Sequence, residues 1–351
     1  MKTKDTMAKP NKTNTDKQLF GDIAKLIEES RGYIAYTANS NLTLLYWKIG
    51  RRINEEILEN KRALYGKQIV VTLSRQLVNE YGKSFEEKNI RRMIQFAIAF
   101  PEEAIVVSLT RQLSWSHIIA LIPLKQPLER EFYAEMCRIE RWGVKTLREK
   151  IDSVLYERTA ISKKPDQLIR QEIKKLRESD SLTPDLVFRN PYFLDFLGLK
   201  NTYSEKNLED AVLRELESFI LELGQNFAFV ERQKRMIIDG EDFKLDLLFF
   251  HRKLKRLIAI ELKLDKFKAA YKAQMELYLR WLEKNEMQNG EETPIGLILC
   301  AEGNKEQIEL LQLDKAGIKV AEYLTELPEK RLFRQKLHLA VEISKKKIDN
   351  L

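Results

Sequence analysis

The run "FKLDLLFFHRKLKRLIAIELK", Phe243 to Lys263, sets three ionisable residues among Leu, Ile and Phe: Asp246, Glu261 and Lys263. Both arms have the composition of buried β-strands, 243–251 and 256–264. A hairpin turn centred between Lys253 and Leu254 places Asp246 directly opposite Glu261, on one face of the sheet. Lys263 follows Glu261 by two residues and so points to that same face, roughly 7 Å further along the strand. Two carboxylates at such a position repel unless positive charge lies between them. A structural salt bridge to Lys263 offsets one carboxylate and leaves the other over. A divalent cation between the two balances both, because hard cations take oxygen ligands. Water activated beside such a cation is a nucleophile suited to a phosphodiester, with Lys263 orienting it or neutralising developing charge. The spacing of these three residues is loose as a motif. Its force comes from the apolar arms and the register.

The elements that must position this patch follow in order. A helix "NLEDAVLRELESFILELG" over 207–224 precedes strands "FAFVERQKRMII", "FKLDLLFF" and "LKRLIAIELKL". A helix "KAAYKAQMELYLRWLEKN", a buried strand "PIGLILCA", a helix "NKEQIELLQL", a strand "IKVAEYL" and a terminal helix over 329–347 come after. A three-strand meander, then a helical crossover to a parallel strand, predicts a mixed sheet flanked by helices. "VFRNPYFLDFLGL" reads as an aromatic clamp or short helix.

The first half of the chain is helical in period. "LFGDIAKLIEE" and "NLTLLYWKIGRRINEEI" carry apolar positions at helical spacing. In "KQIVVTLSRQLVNEYGKSFEEKNIRRMIQFAIAF" one helix should end near Tyr81, with Gly82 as its stop. Ser84 and Glu87 form a capping-box pattern for the next helix. The pair is a helix-turn-helix candidate whose second helix shows Lys88, Asn89, Arg91, Arg92 and Gln95, side chains able to read base edges or grip phosphates. An ordinary helical hairpin with a solvated face satisfies the same pattern.

The 351 residues exceed one ordinary core and imply two domains. We place a polar tail at 1–16, a helical nucleic-acid-binding domain at 17–155, a Pro-containing connector at 156–200 and an α/β catalytic domain at 201–351. Of the net charge of +8, residues 1–190 hold 34 Lys/Arg against 25 Asp/Glu, and residues 191–351 hold 27 against 28. Base concentrated in one half suggests a polyanionic partner, nucleic acid before an anionic membrane. Cys137 and Cys300 lack metal-ligand spacing and read as reduced thiols. His117, His251 and His338 are isolated, so no zinc site follows. His117 reads as a satisfied structural histidine and His251 as a surface residue beside the hairpin turn. With no apolar run of membrane length and no apolar leader, the expected location is the cytoplasm.

Several of these runs resemble the PD-(D/E)XK nuclease superfamily and, within it, the bacterial YhcG-like proteins. In the second half they are "LEDAVLRELESFILELGQNFAFVERQ", "LDLLFFHRKLKRLIAIELKL", "QMELYLRW", "PIGLILCAEG" and "VAEYLTELP". In the first half they are "LYWKIGRRI" and "RRMIQFAIAFP". The resemblance implies a restriction-endonuclease-like second domain, a winged-helix-like first domain, and Mg²⁺-dependent cleavage of nucleic acid, with Mn²⁺ as a possible substitute, leaving a 5′-phosphate. It assigns Asp246 and Glu261 as the motif acids and Lys263 as the motif lysine. Gln274 and Tyr278 match a Gln-x3-Tyr of the recombination-nuclease branch and are expected to be catalytic; Tyr271 and Trp281 on that helical face also fit an aromatic core seam, but the polar Gln274 within it favours the site role. Glu209 is the best match, and Glu215 the second, for an added metal-binding acid from the first core helix. The motif proline is Leu245 here, a departure the superfamily tolerates. DNA is the expected partner and defence against foreign DNA the expected setting. The alternative is a catalytically silent DNA-binding or regulatory module that keeps the fold. An amphipathic terminal helix offers a way to pair subunits.

Overall fold

The structure, a computed structural model, describes residues 37–56, 63–199, 203–303 and 305–326, with isolated positions at 25, 335, 337, 339 and 341. The tail at 1–16 lies outside the described residues. The helices expected over 19–29 and 329–347 lie outside them too, apart from those isolated positions. The chain divides into two compact units, residues 1–130 with 136–147, and residues 131–135 with 148–351.

The first unit is helical. Its helices are α1 (37–56), α2 (Ala63–Tyr81), α3 (Glu87–Ala99), α4 (Glu103–Thr110) and α5 (Trp115–Leu121). Most of α6 (Pro127–Glu140) and the start of α7 (Val144–Asp152) also belong to it. Among its described residues there is no strand. Gly50 of α1 lies against α3, where an added Cβ would stand 1.9 Å from the Met93 carbonyl oxygen, so only glycine permits the contact. Trp47 and Phe96 are buried here, and the Trp47 indole N–H donates to the Phe100 carbonyl (2.8 Å). Helix α2 ends at Tyr81, and Gly82 takes a φ of 89°. The capping box expected of Ser84 and Glu87 does not form. Lys83–Phe85 make a 3-10 turn, Glu86 is the N-cap without a side-chain bond, and Glu87 pairs with Arg91 one turn on. The turn consumes the residue that would have capped α3. His117 is satisfied: its Nδ1 accepts from the Ser114 backbone (3.0 Å) and its Nε2 bonds the Trp142 carbonyl (3.0 Å).

The second unit carries the short helix α8 (Leu155–Arg158), then α9 (Asp166–Ser179), α10 (Pro184–Val187) and β1 (Tyr192–Phe193). After them come α11 (Glu205–Arg214), α12 (Leu216–Leu223), β2 (Phe227–Ile238), β3 (Glu241–His251) and β4 (Arg256–Lys266). Helix α13 (Ala269–Asn285), β5 (Ile295–Glu302), α14 (Lys305–Leu310) and β6 (Ile318–Leu324) complete it. Among the described residues six strands form one sheet, in the order β1-β6-β5-β4-β3-β2. Strands β2, β3 and β4 are antiparallel, and β4, β5, β6 and β1 are mutually parallel where they pair. This is the expected mixed sheet, with the meander followed by the α13 crossover. Met275, Tyr278, Leu279 and Leu282 of α13 bury their face against Leu245, Leu248, Ala259 and Ile298. At Gly296 an added Cβ would come within 2.5 Å of Met275, so the helix packs close to β5.

Two expectations change. The single helix over 207–224 is two, parted at Glu215, whose φ of −105° and ψ of 35° leave the helical region. "VFRNPYFLDFLGL" contributes β1, a short edge strand beside β6, rather than a helix alone. Glu222 fixes it: its Oε1 accepts from Arg158 Nη1 (2.6 Å) and from the Phe193 N–H (2.9 Å). Arg189 also bonds Glu222, and the Arg158 guanidinium lies 3.6 Å from the centre of the Phe193 ring.

His251 is buried, not on the surface: it is 1% exposed. Its Nδ1 accepts the Leu254 N–H (3.0 Å) inside the turn, and Phe227 packs edge-on against its ring. Both cysteines are buried and free, and burial pushes each thiol up to about 12. Among the described residues no single helix is long and apolar enough to cross a membrane. The pair α3 and α4 has the length and composition together but bends by 117°.

Two outcomes follow from these contacts. Glu222→Ala leaves Arg158 buried (1% exposed) without its carboxylate, and denaturant unfolding should show a loss of about 3–5 kcal/mol. Burial lowers the His251 pKa to about 4. Protonation would turn the Nδ1 acceptor into a donor facing the Leu254 N–H. From about pH 6.5 down to about 4 the unfolded chain therefore takes up a proton that the folded chain refuses, and stability falls as pH falls. The loss should reach about 3 kcal/mol. Unfolding curves across that window should fall less steeply for His251→Gln.

Candidate active site

The sheet parts where the three ionisable residues sit. Strands β3 and β4 pair from His251↔Arg256 to Leu247↔Ile260, the register that sets Asp246 opposite Glu261. Beyond Ile260 the two side chains take over from the backbone ladder. The Leu262 N–H donates to Asp246 Oδ2 (2.8 Å), and the Asp246 N–H donates to Glu261 Oε1 (3.4 Å). Strand β4 meanwhile stays paired to β5 through Lys263↔Cys300. Lys263 Nζ lies 2.9 Å from Glu261 Oε2, and 5.4 Å from the centre of the Tyr271 ring.

Glu209 joins from α11 through Gln233 of β2. The Gln233 Nε2 donates to Glu209 Oε2 (2.8 Å) and to Asp246 Oδ1 (3.3 Å). Gln274 and Tyr278 of α13 are linked to each other, not to the carboxylates. Gln274 Nε2 donates to the Tyr278 hydroxyl (2.7 Å), and that hydroxyl donates to the Lys244 carbonyl (3.2 Å), two residues before Asp246. Tyr278 is at the same time a member of the apolar core. Glu215 sits at the break between α11 and α12. Gln233 was not singled out from the sequence. The available signal was a polar residue in a strand facing the motif acid, hidden by a register shift between Phe229 and Glu231.

The charges strain one another. Burial, then the charge of Asp246, pushes Glu261 up to about 7, against the pull of Lys263. Burial raises Asp246 as well, opposed by the Leu262 N–H and Lys263. Glu209 is raised by burial and by Asp246. Burial opposes the charge on Lys263, but Glu261, with Glu205 and Asp246 behind it, holds its pKa above the ordinary value. One amine thus faces an excess of carboxylate.

That donor set fits a divalent cation of the Mg²⁺ type, which uses one or two carboxylates and keeps water for the rest. Among the described residues no group of three or more His, Cys, Asp or Glu side chains forms a ready-made metal cage. Glu261 is linked to Asp246 through the Asp246 N–H, and Gln233 ties Glu209 to the Asp246 carboxylate.

The residues expected to meet nucleic acid lie on α3 of the first unit. Lys88, Arg91 and Gln95 are exposed along one stripe. Asn89 and Arg92 are half-buried and engaged locally: Asn89 donates to the Ser84 carbonyl (3.2 Å), and Arg92 to Asn89 (3.4 Å).

Residues 22–158 match the family described as the DUF1016 N-terminal domain, and residues 185–338 the family described as the YhcG PDDEXK nuclease domain. The chain is 33% identical over 347 residues to YhcG of Escherichia coli (strain K12), covering 90% of this chain and 92% of that one. Among solved structures, a repair endonuclease from Pyrococcus abyssi matches at 22% identity over 37% of this chain and 50% of its own, with a TM-score of 0.26. A complex of EndoMS with double-stranded DNA matches at 16% identity over 37% of this chain and 48% of its own, with a TM-score of 0.27.

The crowding of carboxylates has a direct readout. Asp246→Asn removes the charge that helps raise Glu261, so Glu261 should titrate below about 7, whereas Lys263→Met should push it higher. A pH titration of glutamate side-chain carbon shifts by NMR checks both directions.

Proposed function

The chain belongs to the YhcG family of PD-(D/E)XK nucleases, and from that premise we propose that it is a divalent-metal-dependent nuclease that hydrolyses phosphodiester bonds in DNA. The observation that carries this reading is the junction of Asp246, Glu261 and Lys263 at the point where β3 and β4 part. Asp246 and Glu261, with Glu209 as the added acid, are the residues that would hold Mg²⁺ or Mn²⁺. The ion, when bound, supplies Lewis-acid stabilisation of negative charge at the phosphate.

The remaining work falls to the chain itself. Glu261 accepts the Asp246 N–H and Asp246 the Leu262 N–H, which fixes the two carboxylates before any ligand arrives. Lys263 is held as a cation by the surrounding carboxylates and is placed to stabilise charge developing on the phosphate oxygens. Tyr278 anchors β3 through the Lys244 carbonyl and Gln274 orients its hydroxyl, so we assign this pair to support of the site rather than to the reaction.

DNA is the substrate we infer from the excess of base in residues 1–190 and from the exposed stripe of Lys88, Arg91 and Gln95 on α3. We assign the first unit to DNA binding, with α2 and α3 as the pair of a helix-turn-helix reader and with Asn89 and Arg92 shaping its edge; no strand among its described residues supplies the wing of a winged helix. Cleavage of foreign DNA is the setting we propose for the activity.

A panel of duplex, single-stranded and branched DNA, assayed with Mg²⁺, Mn²⁺ or EDTA, tests the proposal. The wild-type chain should cut at least one substrate only with metal, and Lys263→Ala should lower the rate about 10²- to 10³-fold without loss of DNA binding. Glu261→Ala should be inactive. A wild-type chain that binds DNA and cuts none of the panel with either ion would instead be a silent binding module that keeps the fold.

A further inference from the structure

Gln233 is out of place as a strand residue. Its φ of 48° is left-handed, a conformation that side chains other than glycine and asparagine adopt at a cost. The neighbouring pairs Arg232↔Leu247 and Lys234↔Leu245 put it opposite Asp246, just past the register shift in β2. At that point the strand sends a neutral amide between two acids. The amide nitrogen has two hydrogens, and each has an acceptor: Glu209 Oε2 at 2.8 Å and Asp246 Oδ1 at 3.3 Å. Asp246 therefore receives one donor on each oxygen, Gln233 on Oδ1 and the Leu262 N–H on Oδ2. Two carboxylates on different elements, which would repel if left facing, are joined through a single side chain.

We propose that Gln233 is a positioning residue that ties the α11 carboxylate of Glu209 to Asp246 and so holds Glu209 in place for cation binding. The inference rests on the reading of Asp246 and Glu261 as a metal centre. Charge argues for an amide here. A carboxylate at 233 would add a third like charge, and a lysine would neutralise the acids that the cation needs. Glutamine donates twice and changes the net charge not at all. A merely structural role, in which the same bonds staple α11 to the sheet, predicts different behaviour, and the unusual φ separates the two.

Gln233→Gly deletes the side chain while relieving the left-handed backbone. Titration calorimetry of the full chain with MnCl₂, alongside thermal unfolding without metal, reads both consequences. The expected result is Mn²⁺ affinity reduced about 10- to 100-fold, as for other groups that orient metal ligands, with an unfolding midpoint equal to or above wild type. A lowered midpoint with wild-type Mn²⁺ affinity would overturn the proposal in favour of a staple. Glu261→Ala separates the two levels of the argument. If wild type binds Mn²⁺ and Glu261→Ala does not, the metal centre stands, and equal affinity in Gln233→Gly then defeats only the role of Gln233. If wild type itself binds no Mn²⁺, the metal-centre reading fails and this inference falls with it.

Discussion

Strand β4 is held unequally on its two sides, and the site depends on that inequality. Toward β5 its ladder runs through Lys263; toward β3 the ladder stops at Ile260. Backbone N–H groups left unpaired in a buried sheet are costly, so the parting of β3 and β4 needs substitutes. The carboxylate of Asp246 provides one, accepting the Leu262 N–H that the ladder no longer serves, and Glu261 closes on the Asp246 N–H beside it. The same contacts that satisfy the backbone force two acids together, and burial then drives Glu261 up to about 7. A sheet that stayed zipped would have no use for these carboxylates, and a sheet that parted without them would leave its backbone unsatisfied. The opening and the charge are one feature.

Helices on the sheet preserve that opening. Tyr278 fastens the Lys244 carbonyl of β3 just before Asp246, and the apolar face of α13 packs across β3, β4 and β5. Glu209 arrives on α11, a helix capped by Ser204 and Asn207, and reaches Asp246 through Gln233. The site thus draws on three strands and one helix for its polar groups and on a second helix for its stiffness. Catalytic groups set on regular elements are held more closely than groups on loops.

Much of this was legible in the sequence because a hairpin obeys a strict count. Once the turn was placed between Lys253 and Leu254, the pairing of Asp246 with Glu261 and the common face of Lys263 followed from the period of two. The structure keeps that register. What escaped has a common cause, namely contacts that periodicity does not encode. Gln233 was obscured because β2 shifts its register between Phe229 and Glu231, which breaks the count from the hairpin. Strand β1 was too short to show alternation and is fixed by Glu222, far along the chain. His251 looked exposed beside a turn, but its ring closes that turn by accepting the Leu254 N–H. The pattern at Ser84 and Glu87 was a valid helix start in sequence terms, and the tight turn after Gly82 used those residues otherwise.

The helical unit invites a parallel argument about how it would meet DNA. Reading a base edge takes side chains that are free to pair with two atoms at once, such as Asn with adenine or Arg with guanine. On α3 the asparagine donates to the Ser84 carbonyl, Arg92 turns toward Asn89, and Arg91 is paired with Glu87 at 2.6 Å. Lys88 and Gln95 are exposed on the stripe, and lysine is a point charge better suited to phosphate than to a base pattern. On the proposed reading, grip on the backbone rather than recognition of a sequence is therefore what this helix offers, and backbone contacts position a duplex without selecting it. A nuclease that holds DNA in this manner must take its discrimination from substrate shape or from the site where β3 and β4 part.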